Sequence, residues 1–349
     1  SSHDPGLIPM PATPSDAPSI VLRELEELSF EFISALVSEY PFDDFRRLRR
    51  VDAARSLDCL AEEIEASSRK PGTIRLCALD AADERPAGLM LLQGLPYDTD
   101  LFGLAMAGIP YFIVRADHPA PREVRAELLG QLGALVAREG YLHVSARVDS
   151  ADLHGYQALT DAKFRLMETL VSMTYDSERR GTGVIDPSEY GFDGIVREVE
   201  TGDVDQLCEL AGKSFNLNRY HLDEHLPGRN AGVMMSQWIR NYCEDPDDHQ
   251  VWVAEGVGGK IEGFLGHALN RGLERHSGVL VSGRALLAVE SQRSGVGLML
   301  SRAHTWQSRG DYKEADTQLN NYGMIKVSFN LSMDMVRTKY SFHRWFGDE

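Results

Sequence analysis

The chain is poor in cysteine, has no long apolar run and is short of positive charge. Its four cysteines, Cys59, Cys77, Cys208 and Cys243, are scattered over 349 residues with no metal-ligand spacing. Thiols this sparse argue against a disulfide framework and read as reduced groups in a cytoplasm, with no metal expected. No stretch approaches the ~20 apolar residues that span a bilayer, and no signal-peptide core is evident. Lysine and arginine number 36 against 53 acidic residues, for a net charge of −17. Such a surface repels nucleic acid and anionic lipid, so neither is expected as a partner. What remains is a globular composition, 43% apolar, at a length that suits two domains.

Residues 1–19 are rich in Pro, Ser, Ala and Asp and read as a disordered tail. Residues 20–180 and 195–349 read as two domains, with the glycine- and proline-rich segment 181–194 as linker. Apolar spacing predicts helix within Ile20–Arg50 and over Val51–Ala66, then a strand pair at Ile74–Leu79 and Ala87–Leu92. A strand at Tyr111–Arg115, a helix over Pro121–Glu139, a strand at Leu142–Arg147, a helix over Ala151–Leu159 and a strand at Leu166–Tyr175 complete the first series. The second series repeats the order, with a hairpin at Val251–Leu269, a strand ending at Val289, and strands at Ala315–Leu319 and Met335–Trp345. The shared order reads as an internal duplication of an α+β, layered fold with a mixed central sheet and flanking helices. Edge pairing of the final strands would make such a chain a homodimer. The basic run Phe45-Arg46-Arg47-Leu48-Arg49-Arg50 reads as a solvated helix face.

The junction after Val289 carries the chemistry. The apolar run Ala285-Leu286-Leu287-Ala288-Val289 leads into Gln292-Arg293-Ser294-Gly295-Val296-Gly297, and Leu298 begins a helical pattern. The first turn of a helix has unpaired N–H groups and a positive dipole end, and glycines let the backbone approach a phosphate. A strand, a glycine-containing loop and a helix start, in that order, make an anion site. The first half has Ala116-Asp117-His118-Pro119 at the matching place, with no glycine loop.

This loop resembles the pyrophosphate loop of the GCN5-related N-acetyltransferases. Thr317-Gln318-Leu319-Asn320-Asn321-Tyr322 resembles the superfamily's strand that ends in Asn. Tyr97–Gly103, Phe215–His221, Trp238–Asn241 and Tyr340–Trp345 resemble segments of the dTDP-fucosamine acetyltransferases, which pair an incomplete N-terminal domain with a complete C-terminal one. The resemblance implies acetyl-CoA as cofactor and a small-molecule amine, such as an amino sugar or sugar nucleotide, as partner. It implies contacts to the cofactor from Leu287, Ala288, Val289, Arg293, Ser294, Gly295, Val296, Gly297, Leu298 and Asn320, and to the acceptor from Asn216, Arg219 and His221.

Acyl transfer to an amine needs a base for the amine, donors for the oxyanion and an acid for the leaving thiolate. Glu290 and His343 are candidate bases. The family's general-acid tyrosine falls, by register, on Ser328, a much weaker acid than a phenol; Tyr322 and Tyr340 are candidate substitutes. No cysteine stands at the strand–loop junction, which fits direct transfer in a ternary complex. The alternatives are a tandem member of other specificity, such as a mycothiol-synthase-like enzyme or a ligase using aminoacyl-tRNA, and a CoA-binding protein without transfer activity. The acidic charge argues against tRNA.

Overall fold

Residues 19–215, 218–291 and 295–347 are described in the computed structural model of the chain. The first half runs β1 (Ile20–Glu24), α1 (Phe30–Val37), α2 (Ala53–Ser68), β2 (Thr73–Asp80), β3 (Pro86–Gly94), α3 (Pro96–Phe102), β4 (Met106–Val114), α4 (Pro121–Gly130), α5 (Leu132–Glu139), β5 (His143–Asp149), α6 (Leu153–Asp161) and β6 (Arg165–Asp176). A short α7 (Ser177–Arg180) leads to the second half: β7 (Ile195–Glu198), α8 (Val204–Ser214), α9 (Arg219–Leu222), α10 (Gly228–Glu244), β8 (His249–Glu255), β9 (Ile261–Leu269), α11 (Arg271–Ser277), β10 (Val281–Val289), α12 (Val296–Gln307), β11 (Tyr312–Gln318), α13 (Tyr322–Asn330) and β12 (Asp334–Trp345).

All twelve strands form one mixed sheet, ordered β1-β2-β3-β4-β5-β12-β6-β11-β10-β9-β8-β7. The order reads the same from both ends if the halves are interchanged. Each half gives its last strand to the other: β12 lies between β5 and β6, and β6 between β12 and β11. Matching strands have matching lengths, nine residues in β4 and β10, seven in β5 and β11, twelve in β6 and β12. The final strand is therefore hydrogen-bonded on both sides and offers no edge, which removes the expected route to a homodimer.

Alternation on the central strands separates two layers. Val144, Ala146, Val148 and Phe342 pack with Val124, Leu128 and Leu159 of α4 and α6 in one cluster. On the opposite face, α1 and α2 bury Ile33, Leu36 and Ile64 against Leu89, Leu91 and Ile113. In the second half, α8 and α10 cover Leu286 and Ala288 from this same side. Helix α12 covers the reverse side with Met299 and Leu300, against Leu265 and the partly buried Leu287 and Val289.

Three expectations change. Ile20–Glu24 is a strand paired with β2 rather than part of a helix, because Ile20 and Leu22 alternate onto the first-half core. The helix starts only at Phe30, where the Ser29 hydroxyl accepts the Phe32 N–H at 3.1 Å. The basic run is not a helix face but a series of turns against the second half. Arg47 donates to the Val336 carbonyl, Arg50 pairs with Asp311 at 3.1 Å, and Leu48 is buried beside Tyr312. The helix expected over Pro121–Glu139 is two helices that meet at Gln131.

A buried ion pair spans the exchanged strands. Arg337 of β12 reaches across β6 to Glu314 of β11 with two bonds of 2.6 and 3.1 Å, and donates to the Asp44 carbonyl at 2.9 Å. Burial pushes the Glu314 carboxyl up and the Arg337 guanidinium opposes it. Removing one partner of such a pair leaves an uncompensated buried charge. Arg337→Met is expected to cost ~3–5 kcal/mol, read as a lower urea midpoint, whereas Glu314→Leu/Arg337→Met recovers most of the loss.

Two histidines meet, with tilted rings, between β9 and α12. His267 of β9 and His304 of α12 lie 4.5 Å apart between ring centroids, and both are buried. Burial, then the charge of Lys313, holds His304 down to about 3; burial, then His304, holds His267 well below its ordinary value. In the unfolded chain both titrate near 6.5. Below that value only the unfolded chain gains the proton, so acid favours unfolding from about pH 6.5 down to the folded values. Each histidine contributes about 1.4 kcal/mol of lost stability per pH unit in that window. Thermal unfolding at pH 7, 6 and 5 is expected to show this fall, with a shallower slope in His267→Gln.

Candidate functional site

Strands β10 and β11 run parallel but pair only at Val281↔Tyr312 and Ser282↔Lys313. Against β9, β10 shifts register between Gly283 and Leu286, with Arg284 at φ +52°. Past that bulge the two strands diverge into a V, while β11 stays fully paired to β6. Of the predicted cofactor contacts, Leu287, Ala288 and Val289 lie on the β10 arm of this opening, with Leu287 and Val289 against α12.

The mouth of the V is the start of α12. Gln292, Arg293 and Ser294 lie outside the described residues. Gly295 precedes the helix at φ +79°, and a Cβ there would lie 2.9 Å from the Tyr190 carbonyl oxygen. Only glycine takes this conformation without strain. Met299 N–H makes the first helical bond, to Gly295 O, at 3.0 Å. The N–H groups of Val296, Gly297 and Leu298 therefore precede the intrahelical ladder. At Gly297 the nearest atom to an added Cβ is Val289 Cγ1 at 3.7 Å, so this glycine keeps space beside the V rather than a special φ. These features fit an anionic, elongated cofactor with its phosphates at the helix and its chain in the V.

Asn320 is exposed in the turn after β11. Asn321 caps the next helix instead: its Oδ1 accepts the Met324 N–H at 3.4 Å, and its Nδ2 donates to Thr317 Oγ1 at 3.0 Å.

Beside the V, on the α8–α10 side of the sheet, the central strands present a polar floor. Ser341 of β12 lies opposite both Arg147 of β5 and Glu168 of β6, and Arg147 donates to Ser341 Oγ at 3.0 Å. Arg147 and Glu168 approach to 3.7 Å. The internal symmetry repeats this with the charges exchanged. Ser172 of β6 lies opposite both Asp316 of β11 and Arg337 of β12, and it donates to Asp316. Although these strands are central, 41% of the Arg147 side chain and 31% of the Asp316 side chain are exposed. The floor is thus open to a solute.

Two predicted segments meet at its rim. Glu168 Oε2 accepts the Arg219 N–H at 3.1 Å and the Gln318 Nε2–H at 3.3 Å. Arg219 donates to the Tyr220 hydroxyl at 2.8 Å, which donates to Asp98 at 2.9 Å, and Tyr220 stacks on Phe102 at 5.5 Å. Tyr97–Gly103 and Arg219–His221, over a hundred residues apart, therefore form one wall. His221 is partly buried, its ring bonded to Asn218 Oδ1 at 3.0 Å. Asn216 lies outside the described residues.

Of the predicted acid–base residues, Glu290, Ser328 and His343 do not gather at the V. Glu290 is exposed and pairs with Lys260 at 2.5 Å. Ser328 is buried within α13, and Tyr322 is exposed at the start of that helix. His343 is buried near the far end of β12, its Nδ1 on Asp223 at 2.7 Å. The carboxylates beside the V are Asp316 and Glu314, which the sequence reading missed. Their signal was the alternation Glu314-x-Asp316-x-Gln318, a polar stripe on a strand expected to be internal.

The first half differs at the matching points. Strands β4 and β5 stay paired over four positions, Met106↔His143 to Ile109↔Ala146. Ahead of α4, Arg115 is buried between Asp80 at 3.0 Å and Asp117 at 2.5 Å, and His118 Nε2 lies 3.1 Å from Asp80. Carboxylates hold this junction, so it repels a phosphate.

No protein-family model matches the chain. Over 157 residues it is 28% identical to the spore coat polysaccharide biosynthesis protein SpsD of Bacillus subtilis, a match covering 43% of this chain and 50% of that one. The chain thus spans about half the length of this curated relative. A tandem GNAT protein from the clavulanic acid biosynthesis pathway superposes at a TM-score of 0.56 and 12% identity, over 95% of this chain and all of the other. A GCN5-related N-acetyltransferase from Sphaerobacter thermophilus gives 0.60 and 13%, over 94% and 96% of the two chains. With a V between parallel strands, a glycine-led helix at its mouth and two strand series of one topology, the chain has the fold of the GCN5-related N-acetyltransferases in its tandem form.

Proposed function

We propose that the chain is an acyl-CoA-dependent N-acyltransferase that uses acetyl-CoA and acylates the amine of a sugar-related small molecule by direct transfer in a ternary complex. The observation that carries this reading is the divergence of β10 from β11 beside the N-terminus of α12. The tandem fold supports it, and the polysaccharide-biosynthesis relative supports a sugar-related acceptor. The finer choice, an amino sugar nucleotide, rests on the resemblance of Tyr97–Gly103 and Arg219–His221 to the dTDP-fucosamine enzymes.

Bound acetyl-CoA supplies an activated thioester carbonyl. The first-turn N–H groups of α12 would hold its phosphates, and the arm of β10 from Leu287 to Val289, paired to β9 but not to β11, would offer backbone N–H groups to its chain and carbonyl oxygen. The acceptor lies on the polar floor, where Arg147, Glu168 and the Arg219–Tyr220–Asp98 wall bind hydroxyl and anionic groups. Asp316 is the base this reading assigns to the amine: it is partly exposed and stands where the V meets the floor. Its bond from Ser172 orients it. Glu290 points away to Lys260, and His343 serves elsewhere. Ser328 is closed within α13, which leaves Tyr322 as the phenol assigned to protonate the leaving thiolate.

Calorimetry with acetyl-CoA and CoA tests the cofactor. Micromolar binding by the wild type, lost in Gly295→Glu and Gly297→Glu, is expected; a wild type that binds neither sinks the proposal. Turnover against a panel of amino sugars and sugar nucleotides then separates an enzyme from a CoA-binding protein. In that assay Asp316→Asn is expected to lower kcat by about 10²–10⁴-fold, with acetyl-CoA affinity unchanged. A fall in affinity with kcat intact would assign Asp316 to binding instead.

A further inference from the structure

At the end of the polar floor, away from the V, three side chains converge. His143 opens β5, His343 lies on β12 opposite Ser145 and Arg165, and Asp223 follows α9. All three are buried, His143 completely. Among the described residues neither ring nitrogen of His143 has a hydrogen-bond partner, and Nε2 of His343 has none. The two rings meet edge to face, 4.4 Å between centroids. One ligand atom from each of the three residues lies within 4.8 Å of the others.

A buried polar nitrogen without a partner is costly, and here three share one place. We propose that His143, His343 and Asp223 bind a divalent transition-metal ion of the zinc type. Two imidazoles and a carboxylate are a donor set that zinc takes, with a further position left open. Ligand atoms about 2.1 Å from a tetrahedral ion stand roughly 3.4 Å apart, so the His143 sides of the cluster close by at most roughly 1.4 Å while the 2.7 Å contact between His343 and Asp223 opens.

The surroundings suit this assignment. Trp345 Nε1–H donates to Asp223 at 3.1 Å, and the His225 backbone N–H donates to its other oxygen at 3.1 Å. Such outer contacts fix a ligating carboxylate in place. A cavity of about 280 Å³ lined by Asp223, His225, His343 and Trp345 adjoins the cluster and provides an entry path. The ion would tie β5, β12 and the segment before α10 together, elements of both halves. The site is independent of the V, so it stands or falls apart from acyl transfer.

The test uses the full chain, tag-free and stripped with a chelator, titrated with Zn²⁺ and with Co²⁺. One ion per chain at micromolar affinity or tighter, visible Co²⁺ d–d absorption and a Tm that rises with Zn²⁺ are expected. His143→Asn and His343→Asn, checked for fold by circular dichroism, should each weaken binding by at least about ten-fold. Should a variant misfold, the wild-type Co²⁺ spectrum decides, nitrogen-ligated tetrahedral bands supporting the site and their absence refuting it. A wild type without stoichiometric binding, or undiminished affinity in the folded double variant, overturns the proposal.

Discussion

Antiparallel pairing between β6 and β12 is what makes two halves one molecule. Neither strand completes the sheet of its own half. Each is bonded on one side to the other half's penultimate strand and on the other to its own counterpart. The pairing fixes which side chains share the polar floor, because a one-residue slip would send Arg337 and Ser341 to the opposite face. The Glu314–Arg337 pair stands across this seam and pins the register.

The polar floor inherits its character from the seam. Symmetry places Arg147 and Asp316 at matching points, and Glu168 and Arg337 likewise. Each end pairs a cation with a carboxylate, but the members left exposed, Arg147 at one end and Asp316 at the other, carry opposite charges, so the floor is polar in a directed way. The two halves have also separated their tasks. One keeps an open V with a glycine-led helix, and the other has zipped its strands together and filled its loop with a carboxylate-bound arginine.

Much of the layout was legible because it follows local rules. The hairpins, α12 and α13 announce themselves by alternation, helical spacing and glycine, and the duplicated order showed in the sequence of elements. The strand exchange was not legible, since two halves with unexchanged strands have the same local pattern; only pairing partners differ. That hid the site in turn. Glu168 and Arg147 sit in the half without a glycine loop, and nothing in their neighbourhood marks them as facing Asp316. Glu290 stands beside the loop in sequence and Ser328 falls by register on the family's tyrosine, but the fold turns Glu290 toward Lys260 and buries Ser328 in α13. The run Phe45–Arg50 looked solvated because its acidic partners, Asp176, Glu178 and Asp311, lie far along the chain.

Exchange of terminal strands also governs how the chain is made. Strand β12 leaves the ribosome after the other eleven strands, yet it is flanked by β5 of the first half. The N-terminal half therefore cannot finish its sheet until β12 is made and waits with the unpaired edges of β5 and β6 exposed. Such edges are templates for wrong pairing, including with a neighbouring nascent copy. Final assembly depends on contacts of long sequence separation, which form slowly. A chain interrupted before residue 334 would lack the strand that closes both halves, so loss of this twelve-residue strand would be felt in the first-half core as much as in the second.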